Sequence, residues 1–296
     1  MKIIVKENLD RLDRYLSDNT DYSRNIIQNM INDQYITVNG KVKKASYQLK
    51  EDDCIEIKDG YIKEMDVKPQ EMALDIVYED DDLMVINKPS GLVVHPGAGN
   101  YDNTLVNGLM YYTNLSDLDE VRPGIVHRID KDTTGLLMIA KNNKTHELLT
   151  DYFKNKKVKR EYIALLVGEF PHDSATIDAP IGRSLNNRKK MEVTDKNSKE
   201  AVTEMKVLKR YKGYTLVSCI LKTGRTHQIR VHMNYIGYPI YNDPVYNNKK
   251  ASEFGQFLHS YKMDFIHPIS GKEISLTCPL PDEFQKFLDT LEVDNK

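Results

Sequence analysis

Cysteine is scarce in this chain of 296 residues: Cys54, Cys219 and Cys278 are odd in number and far apart. Without a C-x-x-C pair they offer neither a disulfide framework nor a zinc site, and a reducing cytoplasm is the expected compartment. Long apolar runs are missing too. No segment approaches the length of a membrane span, and the opening MKIIVKENLDRLDRYL lacks the apolar core of a signal peptide. Neither G-x-x-x-x-G-K-[ST] nor G-x-G-x-x-G occurs, so no nucleotide cofactor is expected. A charge excess is lacking as well: 42 basic and 44 acidic residues leave a formal net charge of -2, unlike the strongly basic domains typical of nucleic-acid binders.

What is present is an ordinary globular composition, 40% hydrophobic and 29% charged, with length for one large domain and a small one. The charge average conceals two basic stretches. Residues 154–160, KNKKVKR, hold five basic residues and no acid, and residues 183–212 hold ten basic against four acidic. Either a phosphate backbone or solvent can face such segments, which acidic runs such as Glu79-Asp80-Asp81-Asp82 balance.

Leu9, Leu12 and Leu16 recur at helical spacing, and Ser23 is placed to cap a second helix carrying Ile26, Ile27, Met30 and Ile31. Tyr35-Ile36-Thr37-Val38 then reads as a strand, Asn39-Gly40 as a two-residue hairpin turn returning through Val42, and Cys54 to Ile57 as a further strand. Residues 11–57 resemble an S4 domain, an RNA-binding module, except that Asp33-Gln34 stands where the family has a glycine-containing turn. The resemblance implies that Arg11, Arg14, Ser23, Arg24, Lys41, Lys43 and Lys44 lie on or near an RNA-facing surface. The module with the start of its linker is assigned to residues 1–66, and a second domain to 74–296, with the polar, Pro69-containing stretch 58–73 between their cores.

Beyond residue 74 short strands dominate, at Leu83 to Ile86, Gly124 to Arg128, Leu136 to Ala140, Glu161 to Val167, Ala201 to Leu208 and Tyr214 to Leu221. Helices are expected over Thr145 to Lys154 and Thr226 to Ile236, the latter closed by Gly237, although alternating Ile229, Val231, Met233 and Tyr235 would also suit a strand. Without regular βα alternation the fold class is α+β, a mixed, mainly antiparallel sheet with flanking helices.

Four stretches pair an apolar run with a polar cluster: NKPSGLVVHPG at 87–97, VHRIDKDTTGLLMIAK at 126–141, KREYIALLVG at 159–168 and KTGRTHQIRVHMNYIGYPI at 222–240. Chemically, Asp130 beside a guanidinium is a carboxylate able to stay ionised and act as nucleophile or base, or simply a salt-bridged loop. Taken in order, the four stretches resemble the RluA-type pseudouridine synthases. With the S4 module ahead of them, the resemblance is strongest to the D-type enzymes that modify ribosomal RNA of the large subunit. Thr134 replaces a serine of the family pattern, and YPIYNDPVY at 238–246 departs from its H-P-I-x-G-D-x-x-Y.

The resemblance implies that Asp130 starts cleavage of the uracil N1 to ribose C1′ bond, by attack on C1′ or by removing the C2′ proton. Arg230 pairs with it, Tyr162 stacks on the target base, and Arg128 fills the position that the flipped uridine leaves. His127 and Arg225 are expected to touch RNA. No second acid stands in a comparable setting, as glycoside hydrolysis would require. His127, His227 and His232 lack further ligands at metal-site spacing, so no metal and no cofactor are expected. The expected partner is large-subunit ribosomal RNA, bound by a monomer. Transfer RNA as substrate, a noncatalytic ribosome-assembly factor and a base-releasing N-glycosidase are the rival readings.

Overall fold

The computed structural model describes residues 1–6, 10–20, 22, 24–58, 67–97, 100, 102–119, 122–187, 190–247 and 252–294; Ser23 and Leu9 lie outside them. The chain divides into two compact units, Met1–Glu64 and Met65–Lys296.

The first unit contains β1 (Lys2–Ile4), α1 (Leu12–Asn19), α2 (Arg24–Asn32), β2 (Ile36–Val38) and β3 (Cys54–Ile57), with sheet order β1-β3-β2. Leu12, Leu16, Ile27, Met30 and Ile31 bury one face of each helix against Ile36, Val38 and Ile55, which is how short helices of low intrinsic stability persist. Strand β1 has no counterpart among the expected elements. Gln34 takes φ 62, the left-handed conformation that glycine supplies most cheaply. Asn39 and Gly40 turn with φ 52 and 70, but the return arm stops at Lys41 rather than running through Val42. Asn39 explains this: its side chain donates to Asp53 at 2.7 Å and accepts from the Cys54 N–H at 2.9 Å. The turn is thereby stapled to the start of β3, which takes the pairing edge of β2.

The second unit runs β4 (Ile76–Glu79), β5 (Leu83–Lys88), α3 (Leu105–Tyr112), β6 (Thr134–Ala140), α4 (Asn143–Lys154), β7 (Lys159–Val167), β8 (Ser174–Asp178), β9 (Ile181–Arg183), β10 (Met191–Val193), β11 (Ser198–Lys199), β12 (Val202–Tyr211), β13 (Tyr214–Leu221), α5 (Gln228–Tyr235), β14 (Leu258–Ile266), β15 (Glu273–Thr277) and α6 (Asp282–Asp289). The fold is α+β. One large sheet has the order β4-β5-β6-β14-β7-β13-β12-β8, with β15 on β14, and β9 to β11 form a small sheet of their own. Among the described residues every strand pairing is antiparallel except β6 with β14.

Both faces of the sheet are covered, and the two-residue period of the strands divides the core accordingly. Met84, Ile86, Leu137, Ile139, Tyr162 and Ala164 face one cluster, which includes Ile229 and Met233 of α5. Leu83, Val85, Leu136 and Met138 face another beside Leu149 of α4. Among the described residues no helix is long and apolar enough to cross a membrane.

The strand expected over Gly124 to Arg128 does not form. Only Ile125 bridges, to Ile139, because the next donor on that edge of β6, the Met138 N–H, is taken at 2.9 Å by the His127 ring rather than by a backbone carbonyl. The released segment instead loops out and carries residues 126–133 to the end of the sheet. Residues 228–235 are helical rather than a strand, and Gly237 follows with φ 85.

Candidate active site

Asp130 sits in that loop between two anchored neighbours. Ile129 is buried, the Thr133 N–H donates to the Asp130 carbonyl at 3.1 Å, and the Thr133 hydroxyl accepts from Gln256 at 3.0 Å. Below it lies Lys88, fully buried, whose Nζ donates to the carbonyls of Pro89, Leu92 and Lys131 at 2.8, 2.9 and 2.6 Å. Three acceptors match the three N–H groups of an ammonium. Burial pushes the Lys88 pKa down to about 7, against the opposing charges of Asp132 and Asp130.

Arg230 reaches the site from α5. The first turn of that helix is pinned by Gln228, which donates to the Val202 carbonyl and the Thr203 hydroxyl and accepts from Thr223 and the Arg225 N–H. Arg230 Nη1 donates to Asp130 Oδ2 at 2.9 Å, while Nε and Nη2 donate to the two oxygens of Asp243 at 2.7 and 2.9 Å. One guanidinium therefore joins two carboxylates, its fork locked on the fully buried Asp243 and its remaining nitrogen aimed at Asp130. Burial opposes ionisation of Asp243. The Arg230 hydrogen bonds and charge, with the N–H groups of Val245 and Tyr246, nevertheless hold its carboxyl below the usual range. Burial likewise opposes the Arg230 charge, yet Asp243 and Asp130 raise its pKa.

The Tyr246 ring lies 5.2 Å from the Arg230 guanidinium carbon. Burial pushes the Tyr246 pKa up to about 12, so its hydroxyl keeps its proton and donates to the Met191 carbonyl at 3.1 Å. His227 Nδ1 then donates to that hydroxyl at 2.9 Å, and Nε2 faces Asp130 Oδ1 at 3.9 Å. Burial lowers the His227 pKa, which keeps that nitrogen uncharged. Oδ1 of Asp130 accepts no hydrogen bond from any described residue.

Asp130, Arg230, Tyr162, Arg128 and Arg225 line one cavity, continuous through Arg128, Asp130 and His227 with a cleft of about 690 Å³. Tyr162 projects from β7 and is 4% exposed. Arg128 is exposed and donates to His95 Nε2 at 3.0 Å. Arg225 donates to the Glu200 carbonyl at 2.8 Å. Of the basic run 154–160, Lys154, Lys156 and Arg160 line the cleft, whereas Lys157 pairs with Asp151. The stretch 183–212 is spread out, with Arg210 on Asp173 and Lys212 on Glu292.

The structure adds to two expectations. His127 lines the cleft but is used inside the protein: Nε2 accepts the Met138 N–H at 2.9 Å, the ring stacks on Phe153 at 4.3 Å, and burial with the Arg160 charge keeps it neutral. Its work is to tie the loop to β6. A second acid does stand beside Asp130, namely Asp243, but it is sealed against Arg230. Its signal was present in the stretch 238–246, where Tyr238 and Asn242 depart from H-P-I-x-G-D-x-x-Y but Asp243 stands at the pattern's acid.

In the first unit, Arg11 and Arg24 are half-committed, both donating to the buried Asp13 at 3.1 and 2.9 Å. Arg14 pairs with Asp10, Lys43 lies over the Tyr47 ring, and Lys41 and Lys44 are exposed. Among the described residues one group has metal-ligand types, Asp80, Asp82 and His267. His267 Nδ1 accepts the N–H groups of Ile269 and Ser270, so Nε2 carries the proton that faces Asp80 and has no lone pair to offer an ion.

Residues 82–235 match the family model described as RNA pseudouridylate synthase, and residues 10–55 match the S4 domain. An uncharacterized RNA pseudouridine synthase of Bacillus subtilis is 46% identical over 97% of this chain and 95% of its own length. The ribosomal large subunit pseudouridine synthase D of Zymomonas mobilis is 40% identical over 97% and 95%, and that of Escherichia coli K12 is 38% identical over 98% and 94%. Human RNA Pseudouridylate Synthase Domain Containing 1 has a solved structure similar to this one, with a TM-score of 0.60 and 25% identity, covering 75% of this chain and 97% of its own.

Proposed function

This chain belongs to the RluA-type RNA pseudouridine synthases that carry an N-terminal S4 domain, and from that premise we propose that it modifies uridines of large-subunit ribosomal RNA with Asp130 as the reacting carboxylate. The observation that carries the assignment is the division of labour on Asp130. Oδ2 is held by Arg230, whose own direction is fixed by Asp243, while Oδ1 meets no donor among the described residues. A carboxylate gripped at one oxygen by a charge-assisted hydrogen bond is held in a fixed direction. The free oxygen can meet either C1′ or the C2′ proton of an extruded uridine.

Tyr162 supplies a face for the uracil, a contact worth about 1–3 kcal/mol in base stacking. Arg128, exposed at the mouth and lightly tethered to His95, takes the place of the extruded base and offsets part of the few kcal/mol that extrusion costs. Base release as the end of the reaction is disfavoured, since the second carboxyl a glycosidase needs is here fully buried against Arg230. The ribosomal target rests on the names of the relatives in Zymomonas and Escherichia.

Pseudouridine mapping on unmodified large-subunit ribosomal RNA and transfer RNA, without added cofactor, tests the reading. The wild type should create sites in the ribosomal RNA. Asp130→Asn should create none while binding the RNA with nearly unchanged affinity. Turnover by Asp130→Asn would overturn the role of Asp130, and sites confined to transfer RNA would overturn the substrate.

A further inference from the structure

Arg160 stands two residues before Tyr162 on β7, so both side chains leave the strand on the same face, about 6.7 Å apart along it. Both line the cavity at Asp130, and Arg160 also lines the larger cleft. Phe153 supports the guanidinium at 5.2 Å from its ring centroid. On another side lies Gly224, where a Cβ would stand 3.4 and 3.8 Å from the two terminal nitrogens. The missing side chain leaves that end of the guanidinium uncovered.

The other arginines around Asp130 are engaged: Arg230 with two carboxylates, Arg225 with the Glu200 carbonyl, Arg128 with His95. The Arg160 side chain makes no hydrogen bond or ion pair with any described residue. Its Nε and the Nδ1 of His127, which packs on the same Phe153 ring, are buried and meet no acceptor. A permanent cation in a cleft wall without a carboxylate is costly unless an anion completes it. Lys154 and Lys156, exposed along the same cleft, add charge of the same sign.

We propose that Arg160 is the phosphodiester clamp of the catalytic cleft, gripping the RNA backbone at the nucleotide whose base rests on Tyr162. This assignment rests on the pseudouridine synthase reading above. The guanidinium fork matches two phosphate oxygens, and one strand step separates a base platform from a backbone contact.

The test is a binding series over a range of salt, using a short RNA that carries a mapped target uridine. Wild type, Arg160→Ala and Arg160→Lys are compared, each first shown to melt like the wild type. Loss of one phosphate contact should flatten the slope of log affinity against log salt by about 0.7 to 1 in Arg160→Ala, and Arg160→Lys should keep the wild-type slope. A neutral methylphosphonate at a phosphate flanking the target uridine should weaken the wild type and leave Arg160→Ala indifferent, a non-additive cycle. Weaker binding of Arg160→Ala at an unchanged slope, or additive losses with every flanking methylphosphonate, would overturn the clamp. Conversion of the same RNA by the wild type is scored separately, so absence of pseudouridine would count against the function and not against the contact.

Discussion

Asp243 is the residue on which the site's geometry turns. It takes two of the three Arg230 nitrogens that point toward acids, and it accepts the N–H groups of Val245 and Tyr246 as well. Removing it leaves Arg230 buried with a single, partly exposed partner. Asp243→Ala should therefore destabilise the second unit by about 3–5 kcal/mol, the scale for breaking a buried pair from one side, measured by urea denaturation. Asp243→Asn keeps the shape but weakens the aim. Its kcat should fall about 100-fold, the scale of an ångström of misplacement, with KM for RNA nearly unchanged; an equal loss in KM would mean that Asp243 acts on binding. Asp130, Arg230, Tyr162 and Arg128, which line one cavity, could be singled out in the sequence because short, dense motifs carry them. Asp243, Tyr246 and Lys88 also stand inside the motif stretches, but their parts were not legible, since these depend on distances across the fold, such as Lys88 Nζ to the Lys131 carbonyl, that spacing does not encode.

Among the elements, β6 carries the tightest steric demand. Gly135 has φ 100, and a Cβ there would stand 2.3 Å from the Ser260 carbonyl and 2.8 Å from its nitrogen. Those atoms belong to the one parallel contact, β6 on β14, from whose N-terminal end the Asp130 loop leaves. Gly135→Ala has both a forbidden backbone angle and a backbone clash to relieve. It should cost at least about 3 kcal/mol, read as a lowered urea midpoint, and an unchanged midpoint would show that β14 gives way freely. In the first unit the helices depend on Asp13, which Arg24, Gln28 and Arg11 hold against its burial so that its pKa falls to about 2. A depressed carboxylate adds stability above its unfolded value of about 3.9 and loses it as pH falls through the folded one. The stability gap between wild type and Asp13→Asn should then shrink as pH is lowered from about 5 to about 2. A gap constant across that range would remove Asp13 from the clamp. Helices α1, α2, α4 and α5 were readable from apolar spacing. The failed strand at 124–128 reads well locally, but past the bridge from Ile125 to Ile139 the His127 ring takes the Met138 N–H that a continuing ladder would use.

For the whole molecule, the net charge of -2 misleads about RNA because cations are gathered locally rather than in excess. The cleft in the second unit takes Lys154, Lys156 and Arg160 from one short run, and the first unit contributes a separate basic set. Each unit has its own buried core, Val5 to Ile57 in the first and the clusters around the large sheet in the second, so deleting residues 1–66 should leave a folded remainder that retains the Asp130 site. That remainder should bind target RNA more weakly and with a shallower salt slope, by about 0.7 for each phosphate the first unit neutralises on a single strand, while kcat at saturating RNA stays close to the full chain. The triple change Lys41→Ala, Lys43→Ala and Lys44→Ala should reproduce most of the slope loss, because Arg11 and Arg24 already give part of their charge to Asp13. If the deletion lowers kcat and leaves the slope intact, the first unit shapes the active site instead of holding RNA. If the triple change leaves the slope intact while the deletion does not, the phosphate contacts lie with the arginines despite their partner.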